Sequence, residues 1–142
     1  MVVQNILIAL VLFTAHASGV KHIVGDSIWS IPPTKTFYED WASTRDFHVD
    51  DELYFNFESD MYNVAQVLKN PNMTCASLRP WNIWHVGPVR VPIKDPIDRK
   101  RIFMYGSNTL PHHCSIGLIF TVMINYTTRS PQDNVLGDTA GC

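Results

Sequence analysis

Phe47-His48-Val49-Asp50-Asp51-Glu52-Leu53-Tyr54-Phe55-Asn56-Phe57, followed by Tyr62-Asn63-Val64-Ala65-Gln66-Val67, carries the strongest structural signal in the chain. Leu53, Phe55 and Phe57 alternate with Tyr54 and Asn56, the period-two pattern of a strand with one buried face. His22 to Val24 ends at a Gly25-Asp26 turn, and Val89 to Ile93, Ile102 to Tyr105 and Leu118 to Ile124 are further short apolar or β-branched runs. With Phe47 to Val49, Leu53 to Phe57 and Tyr62 to Leu68 they make seven segments divided by Gly, Pro, Asn and Asp. Such a series predicts an all-β, antiparallel sandwich. Pro92 lacks a donor N–H and requires an edge or a bulge. One helix is expected from Thr36: Thr36-Phe37-Tyr38-Glu39 fits a capping box, and Phe37 or Tyr38 falls in line with Trp41. Asn70-Pro71 is placed to open one more turn before Cys75.

Residues 1–17 read as a secretory signal peptide. The apolar run Ile6 to Phe13 is too short to span a bilayer, and Ala15-His16-Ala17 is a small-x-small cleavage site, with Ala17-Ser18-Gly19 moving the cut as late as residue 19. About 125 residues remain, enough for one domain, assigned to 20–126. Residues 127–142 lose the apolar pattern and read as a disordered polar tail. A composition 46% hydrophobic and 17% charged with net charge −2 is that of an ordinary globular protein and supplies no electrostatic reason for a nucleic-acid partner. No transmembrane segment and no hydrophobic lipid-anchor tail follow, so a soluble, secreted, extracellular protein is expected.

Export places the three cysteines in an oxidising compartment. Cys75 and Cys114 flank the second half of the domain, whereas Cys142 closes the polar tail, so the first two are paired. Closing that loop is worth about 4 kcal/mol in the chain-entropy treatment. Cys142 is left as a free thiol, an intermolecular bridge, or the mark of a truncated sequence. Asn72-Met73-Thr74 and Asn125-Tyr126-Thr127 are glycosylation sequons.

Several elements in order resemble the phytocyanins, the plant cupredoxins that include stellacyanins, plantacyanins, uclacyanins and early-nodulin-like proteins. Val24-Gly25-Asp26-Ser27 with Trp29 and Pro32 is similar to their opening strand and turn, and Tyr38-Glu39-Asp40-Trp41-Ala42 to their Tyr-x-x-Trp-Ala helix. The Phe47 to Phe57 stretch follows, with Asp50 where a Gly is usual, then Cys75 with Pro80, and His113-Cys114-x-x-Gly117. The resemblance spans roughly Lys21 to Tyr126 and implies a cupredoxin-like Greek-key β-sandwich of about seven to eight strands with one or two short helices. It also implies the Cys75–Cys114 pairing.

Copper-binding members hold type 1 copper with two imidazoles, a thiolate and a weak axial group. The first imidazole position falls on Tyr62. The thiolate position falls on Tyr105 by strand alignment, or on Asn108 counting back from His113; no cysteine lies between Cys75 and Cys114. The second imidazole is kept as His113, and the axial position is Leu118. The expectation is a family frame with no copper cofactor. A weak copper or zinc site on His85, His112 and His113 is the minor alternative.

Trp81-Asn82-Ile83-Trp84-His85 crowds two indoles beside a histidine. Exposed, it would make a recognition surface, including for sugars; the blander reading, favoured because large aromatics are buried on average, has one indole plugging the end of the sandwich and the other covering it. Trp29 and Trp41 are assigned to the core. No Gly-x-Ser-x-Gly elbow, His-Glu-x-x-His or phosphate-binding Gly loop is present, so no enzymatic activity is expected. The function read from the sequence is a secreted phytocyanin-like protein without type 1 copper, with an extracellular or cell-wall partner, carbohydrate among the candidates. The alternative is an electron-transfer protein with an unconventional copper site on His113.

Overall fold

The computed structural model describes residues 19–127 and 129; the expected signal peptide and nearly all of the polar tail, with Cys142, lie outside them. Among these residues, β1 (Lys21–Ile23), β2 (Glu52–Phe55) and β5 (Val89–Pro92) form one sheet with β2 in the middle. The other sheet has β4 (Pro80–Trp84), β3 (Val64–Leu68), β6 (Phe103–Gly106) and β7 (Ile119–Val122) in that spatial order. Helices α1 (Phe37–Ser43) and α2 (His112–Ser115) and two 3₁₀ turns, Val24–Asp26 and Cys75–Ser77, complete the elements. The architecture is the cupredoxin sandwich expected, with Pro92 on an edge strand.

Four features depart from the sequence reading. β1 pairs with β2 in parallel, Lys21 opposite Glu52, because the chain makes a long excursion through α1 before returning. Phe47 to Val49 is no strand; Phe47 makes a single bridge to Ile124. Pro80–Trp84 is a strand that alternation did not reveal, since Trp81, Asn82 and Ile83 are all exposed. Thr36 does not form a capping box. Its backbone is already helical (φ −101°, ψ 0°), whereas an N-cap needs an extended residue, so its hydroxyl donates to Asp40 Oδ2 at 2.8 Å. Glu39 accepts instead from the Thr121 hydroxyl. A reciprocal box does occur between Thr74 and Ser77 at the turn holding Cys75.

Trp29 is the centre of the core. It is fully buried, with Tyr38, Phe55 and Phe120 rings 4.6, 5.1 and 6.0 Å from its own. Its Nε1–H donates to the Asn63 carbonyl at 2.9 Å, so the indole buries its area without leaving a donor unpaired. Trp41 is buried as expected. Asp50 holds a left-handed φ of +73°, a conformation short polar residues tolerate best after glycine.

Asp51 is entirely buried. Its carboxylate accepts from Val20 N at 2.9 Å, His48 N at 3.0 Å, His22 Nε2 at 2.8 Å and both Arg129 terminal nitrogens at 2.6 and 2.8 Å. Burial by itself pushes this carboxyl up, but the bonds from His22, Arg129 and the two backbone N–H groups outweigh it and hold it far below the usual carboxylate range. A folded-state value below the unfolded one means the stabilisation is complete above about pH 4 and is lost progressively as pH falls below that. Denaturant titrations should therefore show acid destabilisation beginning near pH 4. Asp51→Ala, which strands buried donors, should cost about 3–5 kcal/mol at neutral pH; a loss under about 1 kcal/mol would remove this carboxylate from its structural role.

Candidate functional site

Of the residues matched to a copper centre, Tyr62 and His113 meet at one end of the sandwich, on the segment leading into β3 and on the loop from Ser107 to Leu118. That loop is held shut by its own backbone: Ser107 N donates to Leu118 O and Leu118 N to His113 O, each at 3.0 Å. α2 carries His113, and the Cys75–Cys114 disulfide, with Cα atoms 5.6 Å apart, anchors that helix to the turn before β4. Gly117 lets the loop close. Its φ is +102°, and a Cβ there would lie 2.2 Å from the Lys35 carbonyl oxygen, so only glycine fits.

His113 is buried, and its ring lies 5.3 Å from that of Tyr62. Its Nδ1 is 3.0 Å from the hydroxyl of Ser107, itself fully buried. Asn63 completes the cluster: its Oδ1 accepts from Asn108 N at 3.0 Å and from Ser107 Oγ at 3.3 Å, and its Nδ2 donates to Asn108 Oδ1 at 2.7 Å. Burial pulls the His113 pKa down, and the neighbouring His112 adds to it, so the imidazole is neutral at physiological pH.

Ser107 and Asn63 were not singled out in the sequence. The available signal was a polar residue just before β3 and another just after β6, too common to stand out. Tyr105, matched to the thiolate position by strand alignment, is turned elsewhere: its ring stacks on Phe120 and lies tilted against Phe55, and its hydroxyl accepts from Gln66 Nε2 at 3.1 Å. Burial pushes that phenol up to about 12. Asn108 bonds to Asn63, leaving Ser107 beside the imidazole. Leu118 is fully buried in the core.

Type 1 copper requires two imidazoles and a thiolate. Tyr62, Ser107, His113 and Leu118 offer one imidazole, two hydroxyls and a hydrocarbon, a donor set that does not fit. His85 and His112 are exposed while His113 is buried, and among the described residues no three His, Cys, Asp or Glu side chains converge as metal ligands. The Ser107–His113 pair is not arranged as a nucleophile and base either, because both are sealed from solvent. Trp81 is 59% exposed, whereas Trp84 is half-buried and packs against the core, both on β4. Asn72 is exposed, and Asn125 is partly buried with its amide donating to Asp46 at 2.9 Å. No helix among the described residues is long and apolar enough to cross a membrane.

A plastocyanin-like domain model matches residues 29–118. The chain is 30% identical over 116 residues to stellacyanin of Toxicodendron vernicifluum, covering 77% of this chain and 98% of that one. It is 25% identical over 122 residues to early nodulin-16 of Medicago truncatula, covering 84% of this chain and 65% of the nodulin. A 47-residue stretch is 45% identical to the cucumber peeling cupredoxin of Cucumis sativus, covering 32% of this chain and 34% of that protein. The chain thus spans under two thirds of the latter two. The fold is similar to that of cucumber stellacyanin with Cu2+, with TM-score 0.63 and 23% identity over 78% of this chain and 99% of that one. It is also similar to cucumber basic protein, a blue copper protein, with TM-score 0.57 and 23% identity over 74% and 99%. The chain belongs to the plastocyanin-like family of cupredoxins, in its phytocyanin branch.

Ser107→Ala would leave a buried imidazole nitrogen unpaired and should cost about 1–3 kcal/mol, read from chemical denaturation. Because the folded state favours neutral His113, its contribution is complete above about pH 6.5 and declines as pH falls through the depressed folded value. NMR titration should place the His113 imidazole below the ordinary histidine range.

Proposed function

We propose that this protein is a phytocyanin without type 1 copper that acts as an extracellular binding or structural protein rather than as an electron carrier or enzyme. The observation that carries this reading is the buried Ser107–His113 hydrogen bond. Two ligands held at about 2.0–2.3 Å from one metal stand roughly 3.5 Å apart at a tetrahedral angle, so Ser107 occupies the place a thiolate would take beside the retained imidazole. With Tyr62 in place of the other imidazole, the frame of the site persists while its redox chemistry does not. Sulfur-to-copper charge transfer, the source of intense blue colour, needs the thiolate. The signal-peptide pattern, the sequons at Asn72 and Asn125 and the disulfide support secretion. An apoplastic or cell-wall setting follows from the family resemblance.

Purified secreted protein should carry substoichiometric copper by elemental analysis and show no strong visible band. Its melting temperature should be the same with and without a chelator, since a ligand stabilises the folded state in proportion to the logarithm of its saturation. Stoichiometric copper with a large chelator-induced drop would replace this reading with the electron-transfer one.

The site can be reversed by design. Tyr62→His together with Ser107→Cys should produce an intense visible band on adding Cu(II), because two imidazoles and a thiolate are then adjacent. Tyr62→His with Tyr105→Cys should not, because position 105 faces Gln66 and the core. A blue protein from the 105 variant alone would overturn the assignment of Ser107.

A further inference from the structure

Away from the copper-type end, the inner face of the four-stranded sheet is left uncovered beyond β5. The segment from Ile93 to Ile102 arches over the gap and encloses a cleft of about 440 Å³. Its floor is a polar ladder across three strands: Asn82 Nδ2 donates to Gln66 Oε1 at 2.9 Å, and Gln66 Nε2 to the Tyr105 hydroxyl at 3.1 Å. Interior-facing positions of a sandwich are normally apolar. Asn82 is exposed, and after these bonds the ladder still offers the Asn82 carbonyl and one amide hydrogen each from Asn82 and Gln66.

Trp81 and Trp84 stand on the same strand as Asn82 and supply indole surface to the wall. The rim is basic. Lys94, Arg99, Lys100 and Arg101 line the cleft against one carboxylate, Asp95, in a chain whose net charge is −2. Two of these cations are positioned by rings: the Arg101 guanidinium lies 5.8 Å from the Trp81 ring centroid and the Arg99 guanidinium 4.6 Å from that of Tyr126. A guanidinium over an aromatic face keeps its N–H groups pointing outward along its edge, where they can bond a carboxylate in bidentate fashion. Asp98 accepts from the Lys100 backbone N–H at 3.0 Å and shapes the turn that presents these side chains.

Indole faces for the C–H face of a sugar ring, an amide floor for hydroxyls and a positively charged rim together describe one ligand class. We propose that the cleft bounded by Trp81, Asn82, Gln66, Arg99 and Arg101 binds an anionic oligosaccharide, a chain of pyranose rings carrying carboxylates. This deepens the binding reading above and rests on it. A neutral glucan would leave the rim cations without partners, and a single-stranded nucleic acid would leave the hydroxyl-sized amide floor with little to recognise.

The test is titration of the full secreted chain with an α-1,4-linked galacturonate hexamer, its fully methyl-esterified form, cellohexaose and a thymidylate hexamer, followed by intrinsic Trp fluorescence and calorimetry. The acidic hexamer should bind saturably, at least about tenfold more tightly than the ester or cellohexaose, and more weakly as salt rises. Trp81→Ala should reduce its affinity by about tenfold or more. Arg99→Gln with Arg101→Gln should erase the preference for acid over ester. Asn82→Asp, nearly isosteric and at an exposed position, should weaken the acid but not the ester, so the charge of the floor is tested without emptying the cleft. Unchanged melting temperatures would confirm that these variants fold. No saturable signal from the acidic hexamer, equal binding of acid and ester, tighter binding of the thymidylate, or full affinity in Trp81→Ala would each overturn the proposal. Copper content measured on the same preparation decides the copper-free reading separately, so either can fail alone.

Discussion

One buried carboxylate, that of Asp51, ties together parts of the chain that also meet through the β1–β2 ladder and the Phe47–Ile124 bridge. It accepts from Val20 ahead of β1, from His22 within it, from His48 in the loop before β2 and from Arg129 beyond β7. A charge removed from water is tolerated only when it is fully hydrogen-bonded, and three separate segments supply the donors. Those bonds reinforce the parallel register of β1 with β2, Lys21 opposite Glu52, and tie Arg129 beyond β7 to the same carboxylate. The aromatic cluster around Trp29 then fills the space between the sheets.

At the far end of the sandwich a second polar cluster does for the ligand-type loops what Asp51 does for the chain ends. Asn63 holds the start of β3 to the exit of β6 through Asn108 and Ser107, and its carbonyl accepts from Trp29. Ser107 in turn orients His113. Asn63, Ser107, Asn108 and His113 Nδ1 bond to one another, so the cluster acts as a structural joint. The disulfide and the tight loop at Gly117 hold the surroundings in place whether or not a metal is ever bound. The frame at this end is maintained by packing and hydrogen bonds that do not need an ion.

The two ends of the molecule differ in what they leave open to solvent. His113 and Ser107 are buried, whereas the Trp81 face, the Asn82–Gln66 ladder and the arginines above them border a cleft. The cleft lies on the sheet face beyond β5, away from the end that holds Tyr62 and His113.

The sequence alone was sufficient for the class of fold, because the alternation of Leu53, Phe55 and Phe57 and the placement of Cys75, His113 and Cys114 are local or ordered signals. It also determined the donor chemistry, since no cysteine lies between Cys75 and Cys114 and no folding can create one. It missed β4, whose exposed Trp81, Asn82 and Ile83 break the alternation, and it misread Thr36, whose capping depends on a backbone angle rather than on residue type. Only the tertiary structure decided that Ser107, rather than Tyr105 or Asn108, stands beside His113. A loop can place any of several neighbouring residues at a given point, and the choice is made by the closure of the chain between Ser107 and Leu118. The cleft likewise exists only in three dimensions, because its floor, wall and rim come from segments far apart in the chain that the two sheets bring together.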